Sequence, residues 1–192
     1  MSNREIALSY LEKGLSVIPL YSPEMLKVNP PKRFREELGK EIEKNKQSEN
    51  PLPENDVIRK VLTNWCKTPC IPEWTEYQKK LPSKEKVTHW FTMNPSANIA
   101  IITGAVSNLV VLDLDSEQAG EYVQEIGGLP KSTVMANTGR GRHIYLSHPG
   151  FHVSNQTNRN IHIDVRGDGG YVVAPPSLHG SGRQYEWVEG SS

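Results

Sequence analysis

The spacing of apolar residues divides the chain into three stretches. Residues 3–14 carry Ile6, Ala7, Tyr10 and Leu11 at helical spacing, with Asn3 placed to cap the helix and Gly14 to stop it. A short strand over 15–20 follows. From residue 21 to about 64 the character changes. Pro30 and Pro31 precede a highly charged run over 32–46, and a second proline-containing break precedes a helix with Val57, Ile58, Val61 and Leu62 on one face. This stretch reads as an inserted helical lobe. Beyond a proline-rich crossing at 68–74, a helix starting near Ser83 carries Val87, Trp90 and Phe91, and the pattern then turns to period two. Strands are predicted over 97–102, 109–115, 133–136, 142–147, 161–166, 171–174 and 184–188, with one helix over 117–126. The expectation is one α+β domain over 1–192, with a helical insertion at about 21–64 and a largely antiparallel sheet in the C-terminal half.

Candidate chemistry sits on three of these strands. The 109–115 run, Leu-Val-Val-Leu-Asp-Leu-Asp, alternates so that Asp113 and Asp115 share a face with Val111, while Val110, Leu112 and Leu114 take the other. Two carboxylates side by side at a strand end are poorly placed unless a cation sits between them, which points to a divalent metal. The bland alternative makes Asp115 a cap for the helix that follows. Residues 137–146, Asn-Thr-Gly-Arg-Gly-Arg-His-Ile-Tyr-Leu, combine two glycines and two arginines ahead of a strand presenting His143 and Tyr145 on one face. That loop has the parts to grip a polyphosphate, although a β-turn with solvated arginines has the same composition. In 161–166, Ile161, Ile163 and Val165 bury one face and leave His162, Asp164 and Arg166 on the other, an odd set for a plain core strand. Asp168, in a glycine-rich turn, reads as structural. Together, three strand-borne carboxylates and a glycine/arginine/histidine loop are the parts of two-metal phosphoryl transfer, with ions roughly 3.5–4 Å apart.

Composition narrows the partners. Lys plus Arg equals Asp plus Glu at 22 each, so a nucleic acid would have to be held by a local patch. No apolar run is long enough for a membrane span and the N-terminus lacks the hydrophobic stretch of a signal peptide, so a cytoplasmic location is expected, with no membrane partner. Cys66 and Cys70 are the only cysteines, and no histidine lies within a dozen residues of them. Two reduced, partly buried thiols fit better than a structural zinc.

Three segments, 109–115, 138–146 and 163–177 (Ile-Asp-Val-Arg-Gly-Asp-Gly-Gly-Tyr-Val-Val-Ala-Pro-Pro-Ser), resemble in order and spacing the motifs of the bifunctional primase–polymerase domain of the archaeo-eukaryotic primase superfamily. The stretches 14–20 and 98–104 and the closing Tyr185-Glu-Trp187 resemble its framework as well. The resemblance implies a sheet like that of an RNA-recognition motif packed beside a smaller α/β unit. It also implies template-directed nucleotidyl transfer, in which a 3′ hydroxyl attacks the α-phosphorus of an NTP or dNTP on a single-stranded DNA template. Carried over, the metal-binding acidic pair falls on Asp113 and Asp115, the third acidic residue on Asp164, and the phosphate-contacting histidine on His143, with two Mg²⁺ or Mn²⁺ ions as cofactors. Thr138, Gly139, Arg140, Gly141 and Arg142 would complete the nucleotide-binding loop, with Arg166 in the site and His162 in support.

Arg140 departs from the small residue usual in that loop, and the lobe at 21–64 is longer than the usual connection. Its Lys32, Arg33, Arg35 and Lys40 are candidates for holding template or an initiating nucleotide, a solvated helical face being the alternative. Choice between ribo- and deoxynucleotides is not legible, with Tyr171 the residue to test. Since the sequence carries no helicase motif, further domains or a helicase or CRISPR-associated partner are expected of a longer protein. Two other classes keep the same residues in play: a metal-dependent nuclease or phosphohydrolase, and a non-catalytic single-strand binder.

Overall fold

A computed structural model describes residues 1–130 and 133–190. Helix α1 (Asn3–Glu12) is capped by Ser2, whose hydroxyl accepts from the Glu5 amide while the Glu5 carboxylate accepts from the Ser2 amide. The cap therefore lies one residue before the predicted Asn3. Strand β1 (Val17–Leu20) leads into α2 (Pro23–Val28), α3 (Lys32–Lys46) and α4 (Glu54–Trp65), then α5 (Lys84–Met93) with Ser83 as its cap. The remainder is β2 (Asn98–Ile102), β3 (Leu109–Leu114), α6 (Glu117–Glu125), β4 (Val134–Asn137), β5 (Arg142–Ser147), β6 (Gln156–Asn158), β7 (Ile163–Arg166), β8 (Tyr171–Ala174) and β9 (Glu186–Trp187).

Two antiparallel sheets result, so the predicted α+β class with antiparallel strands is observed. The smaller has the order β1-β2-β8, the larger β6-β7-β3-β5-β4-β9. Two strand predictions shift markedly and one strand was not predicted. The strand expected at 161–166 begins only at Ile163, because His162 takes a left-handed φ of 54° that breaks the pleat. The one expected at 184–188 shortens to two residues, and β6 was not foreseen because Gln156, Thr157 and Asn158 are all polar and exposed.

The smaller sheet is apolar on both faces. Val17, Ile99, Ile101, Val172 and Ala174 pack with Ala7, Tyr10, Val87 and Phe91 of α1 and α5. Ile18, Leu20, Ala100, Ile102 and Val173 pack with Tyr77 and Tyr185. One face of the larger sheet, with Leu112, Leu114, Ile144, Leu146 and Ile163, is covered by Ala119 and Val123 of α6. Its other face joins the first core through Leu109, Val111 and Tyr145, then opens into a cleft where Asp113 and His143 stand. Helices α2 to α4 gather their own core from Leu26, Phe34, Val61, Trp65 and Cys66, and α4 forms one wall of that cleft.

Candidate active site

Sheet register puts the acidic residues in one row. Asp113 on β3 pairs with His143 of β5 on one side and Asp164 of β7 on the other, so all three side chains leave the same face. His143 Nε2 lies 3.4 Å from Asp113 Oδ1, and Arg166 Nη2 donates to Asp164 Oδ2 at 2.6 Å. Asp115 lies one residue beyond β3, its amide donating to the His162 carbonyl at 3.0 Å. It does not cap α6: Ser116 does, accepting from the Ala119 amide at 3.2 Å. Asp115 instead faces the same cavity as Asp113, a space of about 570 Å³ also lined by His143, His162, Thr138, Gly139 and Arg140.

Several lining residues were not expected from sequence. Lys60, Thr63, Asn64 and Lys67 arrive from α4 and the residues just after it, and His179 and Tyr185 from the segment that leads into β9. A contiguous smaller cavity of about 350 Å³ shares Lys67, Asp113, His143 and Tyr185, and adds Asn155, Arg166 and Tyr171. The Tyr171 hydroxyl donates to the Lys67 carbonyl at 2.7 Å, tying β8 to the end of α4. The only sequence signal for Lys67 was that it follows a helix end, which says nothing about where that end docks.

The Gly-Arg loop is built by packing. Thr138 Oγ1 accepts from the Arg140 and Gly141 amides at 3.3 and 3.0 Å, closing a tight turn. A Cβ on Gly139 would overlap the His179 ring and one on Gly141 would overlap the Leu114 carbonyl, so the space these glycines leave is filled by the protein's own chain. Arg142 is exposed, pairs across the sheet with Leu114 on the face covered by α6, and lines neither of these cavities. Lys32, Arg33, Arg35 and Lys40 line neither cavity as well. Asp168 acts as a tie for loops: it accepts from the Ala105 and Val153 amides at 2.9 Å each and lies 3.3 and 3.2 Å from His148 and His152. Those backbone bonds, aided by His148, hold its carboxyl down at about 2.

The two strand-end carboxylates are driven apart electrostatically. Burial pushes Asp113 upward, but the His143 hydrogen bond and the charges of His143, Lys67 and Arg166 outweigh it, leaving the carboxyl below its ordinary range. Asp115 is held above that range by burial and by repulsion from Asp113 and Asp164, only partly offset by Lys67 and Arg140. Nearby, His143 is 4% exposed and its Nδ1 finds no hydrogen-bond partner among the described residues.

Hard oxygen donors under mutual repulsion suit Mg²⁺ or Mn²⁺. Among the described residues no three His, Cys, Asp or Glu side chains converge into a ready metal cage. That agrees with the habit of Mg²⁺, which is held by one or two carboxylates and completed by substrate phosphates. The donor set therefore fits such ions with Asp113 and Asp115 as the protein's share. The Cys66 and Cys70 thiols are free, and burial pushes both up to about 12.

A row of two carboxylates and a histidine, flanked by Asp115, thus faces a cleft edged with lysine and arginine. Residues 7–192 match the family of the bifunctional DNA primase/polymerase, N-terminal domain, and the chain belongs to that family. No curated protein matches it. The family is one of DNA primases and polymerases, enzymes that act on nucleotides and DNA. Among the described residues no helix is long and apolar enough to cross a membrane.

Proposed function

We propose that this protein catalyses template-directed nucleotidyl transfer, priming and extending DNA strands on a primase-type scaffold. The observation that carries the reading is the Asp164–Asp113–His143 row beside Asp115, set in a cleft with Lys67, Arg140 and Arg166 on its walls. Asp113, Asp115 and Asp164 would hold the ions, with the two strand-end residues in the main role. When bound, Mg²⁺ or Mn²⁺ lowers the pKa of the attacking 3′ hydroxyl and neutralises charge on the leaving pyrophosphate.

The chain's own groups do the rest. His143, fixed against Asp113, and Arg140 receive the triphosphate, and Lys67 adds charge from the opposite wall. Arg166 orients Asp164 through its 2.6 Å bond, and it borders the smaller cavity where base and sugar would lie. Thr138 shapes the loop that presents Arg140. Holding the nucleotide, the strand end and the template together removes much of the entropic barrier.

The test is incubation with primed single-stranded template, Mn²⁺ and labelled dNTP, repeated without primer and with NTPs. Strand lengthening dictated by the template is expected. Shortening of the strand would mark a nuclease, retention without chemistry would mark a binder, and either overturns the proposal.

A further inference from the structure

The turn that closes the smaller cavity is held from outside it. Arg166, Gly169, Gly170 and Tyr171 all border that cavity, whereas Asp168, in the middle of the same run, borders neither it nor the larger one. The Asp168 carboxylate bonds instead with the segment 148–155, between β5 and β6, and with the turn after β2. Oδ2 accepts from the Val153 amide at 2.9 Å and lies 3.3 Å from His148 Nε2 and 3.2 Å from His152 Nδ1. Oδ1 accepts from the Ala105 amide at 2.9 Å. One carboxylate thus joins three stretches that are far apart in sequence.

The backbone repeats the same joint. The Asp168 amide donates to the Val153 carbonyl at 2.7 Å. Asn155 grips the turn with both ends of its side chain: Oδ1 accepts from the Gly167 amide at 3.1 Å, and Nδ2 donates to the Asp168 carbonyl at 2.8 Å. A Cβ on Gly167 would overlap the Val153 carbonyl and one on Gly170 would overlap the Asn155 side chain, so turn and segment are in close contact along their length. The His148 ring is oriented as well. Its Nδ1 accepts from the Gly150 amide at 3.2 Å, which leaves Nε2 to carry the ring's proton toward Asp168.

An aspartate that only shaped its own turn would bond within it. Asp168 bonds outward, and two residues before it stands Arg166, whose guanidinium holds Asp164 at 2.6 Å. We propose that Asp168 is a positioning residue for nucleotide binding: by clasping the segment 148–155 to the 167–170 turn, it sets where Asn155, Arg166 and Tyr171 stand around the smaller cavity. It touches no substrate and acts through those groups. The proposal rests on the polymerase reading, which puts base and sugar in that cavity. It has a consequence at a distance, because residues 148–153 border neither cavity yet share the clasp. A nucleotide that steadies the turn must steady them too.

Asp168→Asn keeps the size of the side chain but sets an amide NH₂ against backbone N–H donors. On primed template with Mn²⁺ it should raise the KM for dNTP by about tenfold and change kcat by less than about threefold. Arg166→Lys should raise the same KM, and the double variant should lie within about twofold of the worse single one, because both changes act on the placement of one group. An unchanged KM in Asp168→Asn, a kcat that falls as far as KM rises, or single effects that multiply in the double variant would each overturn the proposal. Hydrogen exchange on the wild type reads the clasp without any substitution. The amides of 150–153, Val153 above all, should exchange at least about threefold more slowly once dNTP and Mn²⁺ are bound. Unaltered exchange there with nucleotide bound overturns the proposal even if Asp168→Asn does not fold. A wild-type chain that neither binds dNTP nor extends a primer overturns the polymerase reading beneath it, whereas binding and extension without these effects overturn this proposal alone.

Discussion

The two sheets use similar short antiparallel strands to opposite ends. In β1-β2-β8 both faces are covered, and Val17, Ile18, Leu20 and the isoleucines of β2 are wholly buried. In the larger sheet only the α6 face is apolar, and the other carries Asp164, Asp113 and His143 in register across three strands. The first sheet is built for burial and reaches the smaller cavity only through Tyr171, Val172 and Val173 of β8. The second accepts half-buried like charges that a stability-driven design would avoid, and relies on its apolar face and on the smaller sheet to hold them in place.

The sharpest way to break this division is to empty the acidic row. Asp113→Ala together with Asp115→Ala should lower template-dependent synthesis by on the order of a thousandfold or more with the melting temperature kept within a few degrees. Collapse of the fold in that variant would mean that the row is structural. The reciprocal change is Ile101→Ala, which opens a cavity in the fully buried first sheet. It should cost about 2–5 kcal/mol in denaturant unfolding and leave the KM for nucleotide unchanged. A selective effect on KM would show the two sheets to be less separate than their burial implies.

Much of this division was legible in the sequence. Period-two alternation located β3, β5, β7 and β8 and placed Asp113, His143 and Asp164 on polar faces, because a strand's side-chain parity is fixed by the chain alone. Arg142, expected in the nucleotide-binding loop, follows the same parity and turns away from its neighbour His143 to the α6 side. What parity lacks is long-range docking. Lys67, His179 and Tyr185 reach the cleft because α4 and the 178–185 segment happen to pack there, and no local periodicity encodes that. His162, read as a supporting residue on that face, does line the cleft, although its left-handed φ takes it out of the strand on which the face argument relied. The loop glycines were legible as close-approach positions, but what they approach is His179 and Leu114.

A milder perturbation sharpens the role of packing in the second sheet. Gly139→Ala forces a methyl group into the His179 ring and should raise the KM for nucleotide by roughly tenfold, by moving the Thr138–Arg140 turn, with a smaller change in kcat. Equal activity in steady-state kinetics would detach that turn from substrate binding.

The smallest effect concerns repulsion. Asp115 sits above its ordinary range, so the folded chain binds its proton more tightly than the unfolded chain does. Its charge therefore costs stability at neutral pH, and the cost fades as pH falls through the folded pKa. Asp113, held low, has the opposite sign: its contribution is present above the unfolded pKa and is lost as pH falls. Asp115→Asn should accordingly raise the melting temperature in metal-free buffer at pH 7 by roughly 1–2 °C, a small shift because the side chain is exposed and solvent screens it. A lower melting temperature would contradict the repulsion.

On this reading the acidic row becomes an ion site when substrate phosphates join it. Calorimetric titration with Mn²⁺, with and without a non-hydrolysable dNTP, tests this directly. Wild type should bind Mn²⁺ at least about tenfold more tightly with nucleotide present, and Asp113→Asn should lose that gain. Mn²⁺ affinity indifferent to nucleotide, or nucleotide-enhanced binding that persists in Asp113→Asn, would contradict it.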